Sequence, residues 1–245
     1  MIFKQCYFIS WLGRVREGRL ALLHEAVKWA QSHDFSIHII AMQWKEEEYE
    51  QFPGIDFIKL NKRLPPGHAR NIALNFFYAT SDDLCIILDD DTYIAEGDSI
   101  IHLLRDRPVK GVLYSVRDSK MPRVECTRTR FERPEQITSG VFIVRQELQL
   151  FFNTDFKYYK NKLLWGEDVN LLGRIYDRGL RAYEVVTSRT NKSRERDITP
   201  STWHTSQDFS QTERHYEINS KDFNNLVTYN GGDMIIAEPI QPFEM

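Results

Sequence analysis

"CIILDDDTYI", residues 85–94, is the stretch whose reading decides the fold. Four apolar residues carry the chain to three consecutive aspartates, Asp89, Asp90 and Asp91, and the sequence then turns polar. An apolar run without alternation is what a strand covered on both faces requires, and such strands belong to parallel sheets flanked by helices. Ligands of these sheets bind at the carboxyl ends of the strands, and the triplet stands at such an end. Side chains along a strand alternate, so Asp89 and Asp91 fall on one side. Carboxylate oxygens are hard ligands suited to Mg2+ or Mn2+, and two on one side can share an ion or its bound water. A solvated acidic turn would show the same triplet.

Working outward, the elements agree with a parallel sheet. "PPGHARNIALNFFYAT" (65–80) opens on proline and carries apolar residues at helical spacing, which predicts a helix. Before it, "IDFIKL" (55–60), "SIHIIAMQW" (36–44) and "YFISWL" (7–12) read as strands. "REGRLALLHEAVKWAQSH" (16–33) puts Leu20, Leu23, Val27 and Ala30 on one helical stripe. The resulting order βαββαβ implies parallel strands covered by helices. After the triplet we expect a helix over 97–105, a strand over 110–116, an irregular segment over 117–138, a strand over 140–148, a helix over 165–179 and a strand over 180–186. From 188 to 233 the sequence is polar, turn-rich and without a clear period. No repeat or linker interrupts it, so one domain is expected over 1–245.

Composition bounds the function. The chain has 245 residues, 42% hydrophobic and 27% charged, enough to bury a core. A net charge of −3 gives no global call for a nucleic-acid or membrane partner. No apolar run approaches the roughly 20 residues that span a bilayer, and "MIFKQCYFIS" enters a strand pattern without a signal-peptide layout. Cys6, Cys85 and Cys126 lack paired spacing and read as reduced thiols of a cytoplasmic protein. One aspartate-rich strand end is excluded by spacing. Haloacid-dehalogenase-like phosphatases carry DxDxT or DxDxV, whereas Tyr93 lies two past Asp91 and Thr92 comes one position early.

Three stretches carry a resemblance. "GHARNIALNFFYATSDDLCIILDDDTYI" (67–94) resembles the ARNxG helix and hhhhDxD strand of GT-A fold glycosyltransferases of the inverting family-2-like kind. "WGEDVNLLGRIYDRGLRAYEV" (165–185) resembles their GED helix and following strand. "LGRVREGRL" (12–20) is similar to the xRxRxxxL segment of the β-1,4-galactosyltransferase-like branch. Together they span residues 6–186 in the expected order. The resemblance implies an α/β, single GT-A (Rossmann-like) domain with a mostly parallel central sheet flanked by helices. Residues 1–95 would form its nucleotide-binding half, 96–187 the acceptor half with the base helix, and 188–245 a mobile C-terminal segment.

The resemblance also implies roles. Asp91, with Asp89 or Asp90, would hold Mn2+ (or Mg2+) and the donor diphosphate. Arg14, Arg16 and Arg70 would lie along the nucleotide, where guanidinium forks suit phosphate; surface salt bridging is their other use. Asp168 would be the general base and Glu167 an acceptor contact; capping of the helix is the other use of this pair. Trp165 would stack on a sugar face, or fill the core. His204, with His215 as rival, would supply a third metal ligand. The first turn of a helix independently favours an ionised Asp168, as a base must be. Two departures stand out: "WGED" has one glycine fewer than the galactosyltransferase pattern "WGGED", and Asn170 stands where an acidic residue is frequent.

These roles imply metal-dependent transfer of a sugar from a nucleotide-sugar donor, a UDP-sugar first, to an acceptor hydroxyl with inversion. The acceptor is left open. "RDSKMPRVECTRTRFER" (117–133) holds six basic and three acidic residues, and "SRTNKSRER" (188–196) four basic ones. A basic rim admits an anionic acceptor, including a hydroxylated base in DNA, beside the saccharide that comes first. The second segment suits either a lid over pyrophosphate or a solvated loop. A nucleotidyltransferase and a non-catalytic sugar-nucleotide binder are the rival classes; for the former, Gly13 and Gly18 are too far apart to form the expected glycine-rich loop.

Overall fold

A computed structural model of the chain describes residues 3–13, 16–90, 92–94, 112–118, 130–132, 141–159, 162–163, 167–178, 181–187, 190–192, 218, 227–230 and 233–236. The first half runs β1 (Phe3–Ser10), α1 (Arg16–Ser32), β2 (Ser36–Met42), α2 (Glu46–Tyr49), β3 (Asp56–Leu60), α3 (Pro66–Tyr78) and β4 (Leu84–Asp89). Then come β5 (Thr92–Ile94), β6 (Val112–Asp118), β7 (Arg130–Glu132), β8 (Val141–Arg145), β9 (Tyr158–Tyr159), β10 (Lys162–Leu163) and α4 (Glu167–Asp177). β11 (Arg181–Thr187), β12 (Thr190–Lys192), β13 (Val227–Asn230) and β14 (Asp233–Ile236) follow.

Eight strands form one sheet in the order β3-β2-β1-β4-β8-β6-β11-β7. β3, β2, β1 and β4 are mutually parallel, as the βαββαβ order predicts. β8 runs antiparallel to both β4 and β6, and β11 is parallel to β6. The fold is therefore α/β with a parallel four-stranded half, extended by a mixed half.

Alternation along the central strands feeds two cores. Cys6 and Phe8 of β1 and Ile86 and Leu88 of β4 face α1, with Leu20, Leu23, Val27 and Ala30 as predicted. Tyr7 and Ile9 of β1 and Cys85 and Ile87 of β4 face the other layer, α3 and α4, through Ala73, Phe77, Leu172 and Ile175. Each fully buried side chain of this size contributes about 1.5–3 kcal/mol. Pro66 occupies the first turn of α3, where its missing N–H is harmless.

The structure differs from the sequence expectations in places. The 117–138 segment contains β7, which pairs antiparallel with β11. Three residues are too few to show an alternation. The strand expected over 140–148 ends at Arg145 and closes in a 3-10 turn, Gln146–Leu148. Within 188–233, β12 returns to pair with β5, and β13 forms a hairpin with β14. The helix expected over 97–105 lies outside the described residues. No helix among those described is long and apolar enough to cross a membrane.

Candidate active site

The period-two geometry of β4 sorts the first two aspartates. Leu88 faces the α1 core, so Asp89 turns toward α3 and α4, and Asp90 turns back toward α1. Each meets its own arginine. Asp89, with its side chain 26% exposed, accepts a hydrogen bond from Arg70 Nη2 at 3.1 Å. Asp90, 1% exposed, accepts from Arg19 Nη1 at 2.5 Å, from the Ser10 hydroxyl at 2.9 Å and from the Trp11 backbone N–H at 3.1 Å.

Arg70 reaches farther than Asp89. Its Nη1 donates to Glu167 Oε1 at 2.6 Å, in the first turn of α4. The guanidinium is thus shared by the end of β4 and the start of α4, although Arg70 itself is 3% exposed. Burial works to lower its pKa. Asp89, Glu167 and Asp168 more than offset this, and the net direction is upward. Asp89, Glu167 and Asp168 thus all act on one guanidinium.

The structure gives several of the expected site residues protein partners. Arg70, expected along a nucleotide, points into the protein between two carboxylates. Arg16, expected likewise, donates from Nε to Glu48 Oε1 at 2.5 Å and from Nη2 to Glu48 Oε2 at 2.9 Å and to the Gln43 carbonyl at 2.7 Å. This bidentate pair with a 4% exposed glutamate ties α1 to α2. Asp90, expected among the donor ligands, is drawn inward by the network above. Glu167, expected to touch an acceptor, is 5% exposed and faces Arg70. Arg14, Asp91, Trp165 and His204 lie outside the described residues.

Arg19 was missed by the sequence reading. It follows Arg16 by three positions on α1, so helical spacing puts both on the same face and could have flagged it. Also missed was Trp11, at the carboxyl end of β1. The Arg63 guanidinium lies 3.6 Å from its ring centroid, and its indole Nε1 donates to Gln43 Oε1 at 3.2 Å. Gly13, at φ +59°, curls under the same ring, where a Cβ would come within 3.1 Å.

The second half of the chain is brought to this edge by backbone pairing. β12 lies antiparallel to β5, with Lys192 opposite Thr92, the residue that follows Asp91. Residues 190–192 of the basic 188–196 segment are therefore paired beside the strand that follows the triplet. On α4, Asp168 is partly exposed beside buried Glu167, and both sit in the turn where the helix dipole favours negative charge. Asn170 is 0% exposed. A carboxylate there would be buried, which accounts for the neutral amide at that position.

Among the described residues no group of three or more His, Cys, Asp or Glu side chains could hold a metal. The described part of the site still fits a divalent cation in its chemistry: hard carboxylate oxygens and a partly exposed Asp89. A shallow groove of about 370 Å³, lined by His68, Asn71, Asn75 and Phe151 among others, runs along the outer face of α3 and contains none of these carboxylates.

No protein-family model matches the chain, and no curated protein matches it. Solved structures do. A mannosyltransferase of Pyrobaculum calidifontis, in complex with GDP-Man and Mn2+, is similar over 77% of this chain and 58% of its own, with a TM-score of 0.52 and 13% identity. GalNAc-T7, with UDP, GalNAc and Mn2+, is similar over 75% of this chain and 42% of its own, with a TM-score of 0.51 and 14% identity. A mannose-1-phosphate geranyltransferase of Thermus thermophilus is similar over 78% of this chain and 75% of its own, with a TM-score of 0.53 and 10% identity. The chain spans about half the length of the first two. At these identities the likeness is one of fold: the α/β, GT-A type of sheet.

Proposed function

We propose that the chain is a metal-dependent glycosyltransferase that moves a sugar from a nucleotide-sugar donor, a UDP-sugar first among them, to an acceptor hydroxyl with inversion. The observation that carries this reading is the meeting of Asp89, at the end of β4, with the first turn of α4 through Arg70, at the carboxyl edge of the parallel strands. The edge of such a sheet is where ligands bind, and the fold is shared with the sugar-nucleotide enzymes above.

In this reading residues 1–95 bind the nucleotide, and 96–187 form the acceptor half with the base helix. Asp91, with Asp89, holds Mn2+ or Mg2+, and His204 completes the ligand set. When bound, the ion neutralises charge growing on the departing diphosphate. Asp168 accepts the proton of the attacking hydroxyl, a role worth about 10²–10⁴-fold in rate. Arg14 meets the diphosphate, and Trp165 stacks on a sugar ring. A single displacement with one base and no protein nucleophile inverts the anomeric carbon. The acceptor is a saccharide.

Transfer itself is the test. The purified chain, Mn2+, a nucleotide sugar and a panel of mono- and oligosaccharides are incubated, and the product is followed by mass spectrometry. A product whose anomeric configuration by NMR is opposite to that of the donor supports the reading. A retained configuration rejects the single displacement, and transfer to hydroxymethylated DNA in place of any saccharide rejects the acceptor.

A further inference from the structure

We infer that Arg70 is a positioning residue, which holds the first turn of α4 against the end of β4 and so sets where Asp168 stands relative to Asp89. The inference rests on the glycosyl-transfer reading, but it moves Arg70 from the nucleotide to the inside of the site.

The surroundings of Arg70 form a closed socket. Its two terminal nitrogens are committed to different carboxylates on different elements, Glu167 on α4 and Asp89 on β4. Its guanidinium lies 5.5 Å from the ring centroid of Phe152. Phe152 is itself fixed to α3: its N–H donates to Asn71 Oδ1 at 2.7 Å, and its carbonyl accepts from Asn71 Nδ2 at 2.8 Å. The next residue of that wall, Phe151, is tied to α4, because its carbonyl accepts from Arg174 Nη1 at 2.7 Å.

The socket has little slack. A Cβ at Gly67 would meet Phe152 Cβ at 3.1 Å and Glu167 Cγ at 3.2 Å, so α3 and α4 already touch there. Swinging Arg70 outward to a phosphate would leave Glu167 buried without this cation, which is strongly unfavourable. A planar fork can serve two carboxylates at once, whereas an ammonium is a point charge. Among the described residues, the charged groups that act on Arg70 include Asp89 from β4 and Glu167 and Asp168 from α4. One guanidinium therefore ties the metal-side strand end to the base helix, 19 positions away on one arm and 97 on the other.

The test compares the full chain with Arg70→Lys and Arg70→Met, using three readouts. These are the rate of sugar transfer, the affinity for UDP and for GDP with Mn2+ by calorimetry, and amide hydrogen exchange across α4. In Arg70→Met, kcat should fall about 100-fold, as expected for a displacement near 1 Å, while nucleoside-diphosphate affinity stays within about threefold. Exchange should quicken in the first turn of α4, and Arg70→Lys should restore part of both rate and protection. If Arg70→Met does not fold, Arg70→Lys carries the same comparison against the wild type.

Weakened nucleoside-diphosphate binding with unchanged kcat would make Arg70 a donor ligand and overturn the inference. If the wild type turns over no donor, the transfer reading fails separately. Exchange then decides: unchanged protection of the first turn of α4 sinks the positioning role, and protection lost there alone upholds it.

Discussion

Arg19 of α1 and Asp90, 71 positions apart in the chain, meet in a partly buried ion pair at 2.5 Å, with the carboxylate buried. The pair closes a network in which Ser10 donates to Asp90 and Trp44 Nε1 donates to Ser10 Oγ at 3.2 Å. It anchors α1 to the turn that presents the aspartates, and it takes the middle aspartate out of contact with solvent.

Removing one partner should therefore be worse than removing both. Arg19→Met leaves a buried carboxylate without this cation and should cost about 3–5 kcal/mol of stability. Asp90→Asn, which keeps most of the shape, should cost less, and Arg19→Met/Asp90→Asn should recover part of the loss. Urea denaturation of the three variants, arranged as a double-mutant cycle, reads the coupling directly. Additive losses would mean that the pair contributes nothing of its own.

Glu48 should make the protein acid-sensitive. Burial pushes its pKa up, but the hydrogen bonds from Arg16 and from the Lys45 N–H outweigh this, and the carboxyl ends below its ordinary 4.5. A carboxyl depressed in the folded state adds stability that is complete above the unfolded value and is lost as pH falls through the folded one. Unfolding free energies measured from about pH 6 down to about pH 3 should drop less steeply in Glu48→Gln than in the wild type. Parallel slopes would remove Glu48 from the acid response.

Gly67→Ala tests how tightly α3 is set against α4. The added methyl would sit 3.1 Å from Phe152 Cβ and 3.2 Å from Glu167 Cγ, and both neighbours are held, Phe152 by Asn71 and Glu167 by Arg70. Overpacking of this kind costs about 1–3 kcal/mol, so thermal melting should fall, and sugar transfer should slow through displacement of α4. An unchanged melting temperature would show that the contact can relax.

How much of this was legible in the sequence follows from the range of each signal. The apolar runs of β1, β2 and β4 and the stripe Leu20, Leu23, Val27, Ala30 are local and long, and they read correctly. β7, β12, β13 and β14 are pairings of three or four residues, too short to show a period; their existence depends on partners such as β11 and β5 far along the chain. The site divided the same way. That Asp89, Glu167 and Asp168 are acidic residues at element ends is visible in the string, and so is the alternation that splits Asp89 from Asp90. Which arginine each carboxylate takes is not visible, because Arg16, Arg19 and Arg70 are equivalent in charge and only the packing of α1 and α3 on the sheet assigns them. Arg16 accordingly pairs with Glu48, and Arg70 with Asp89 and Glu167, partners that the string does not name.

The central claim is most directly tested by nucleoside-diphosphate release from a panel of UDP-, GDP-, dTDP- and CDP-sugars, with Mn2+ and with EDTA. Wild-type chain, Asp91→Ala and Asp168→Asn are compared. The account predicts that one donor is turned over in Mn2+ and not in EDTA, that Asp91→Ala abolishes release, and that Asp168→Asn keeps donor binding while slowing transfer to an acceptor about 10²–10⁴-fold. No release from any donor, with Mn2+ present and the chain folded, would contradict it and leave the α/β fold without the chemistry.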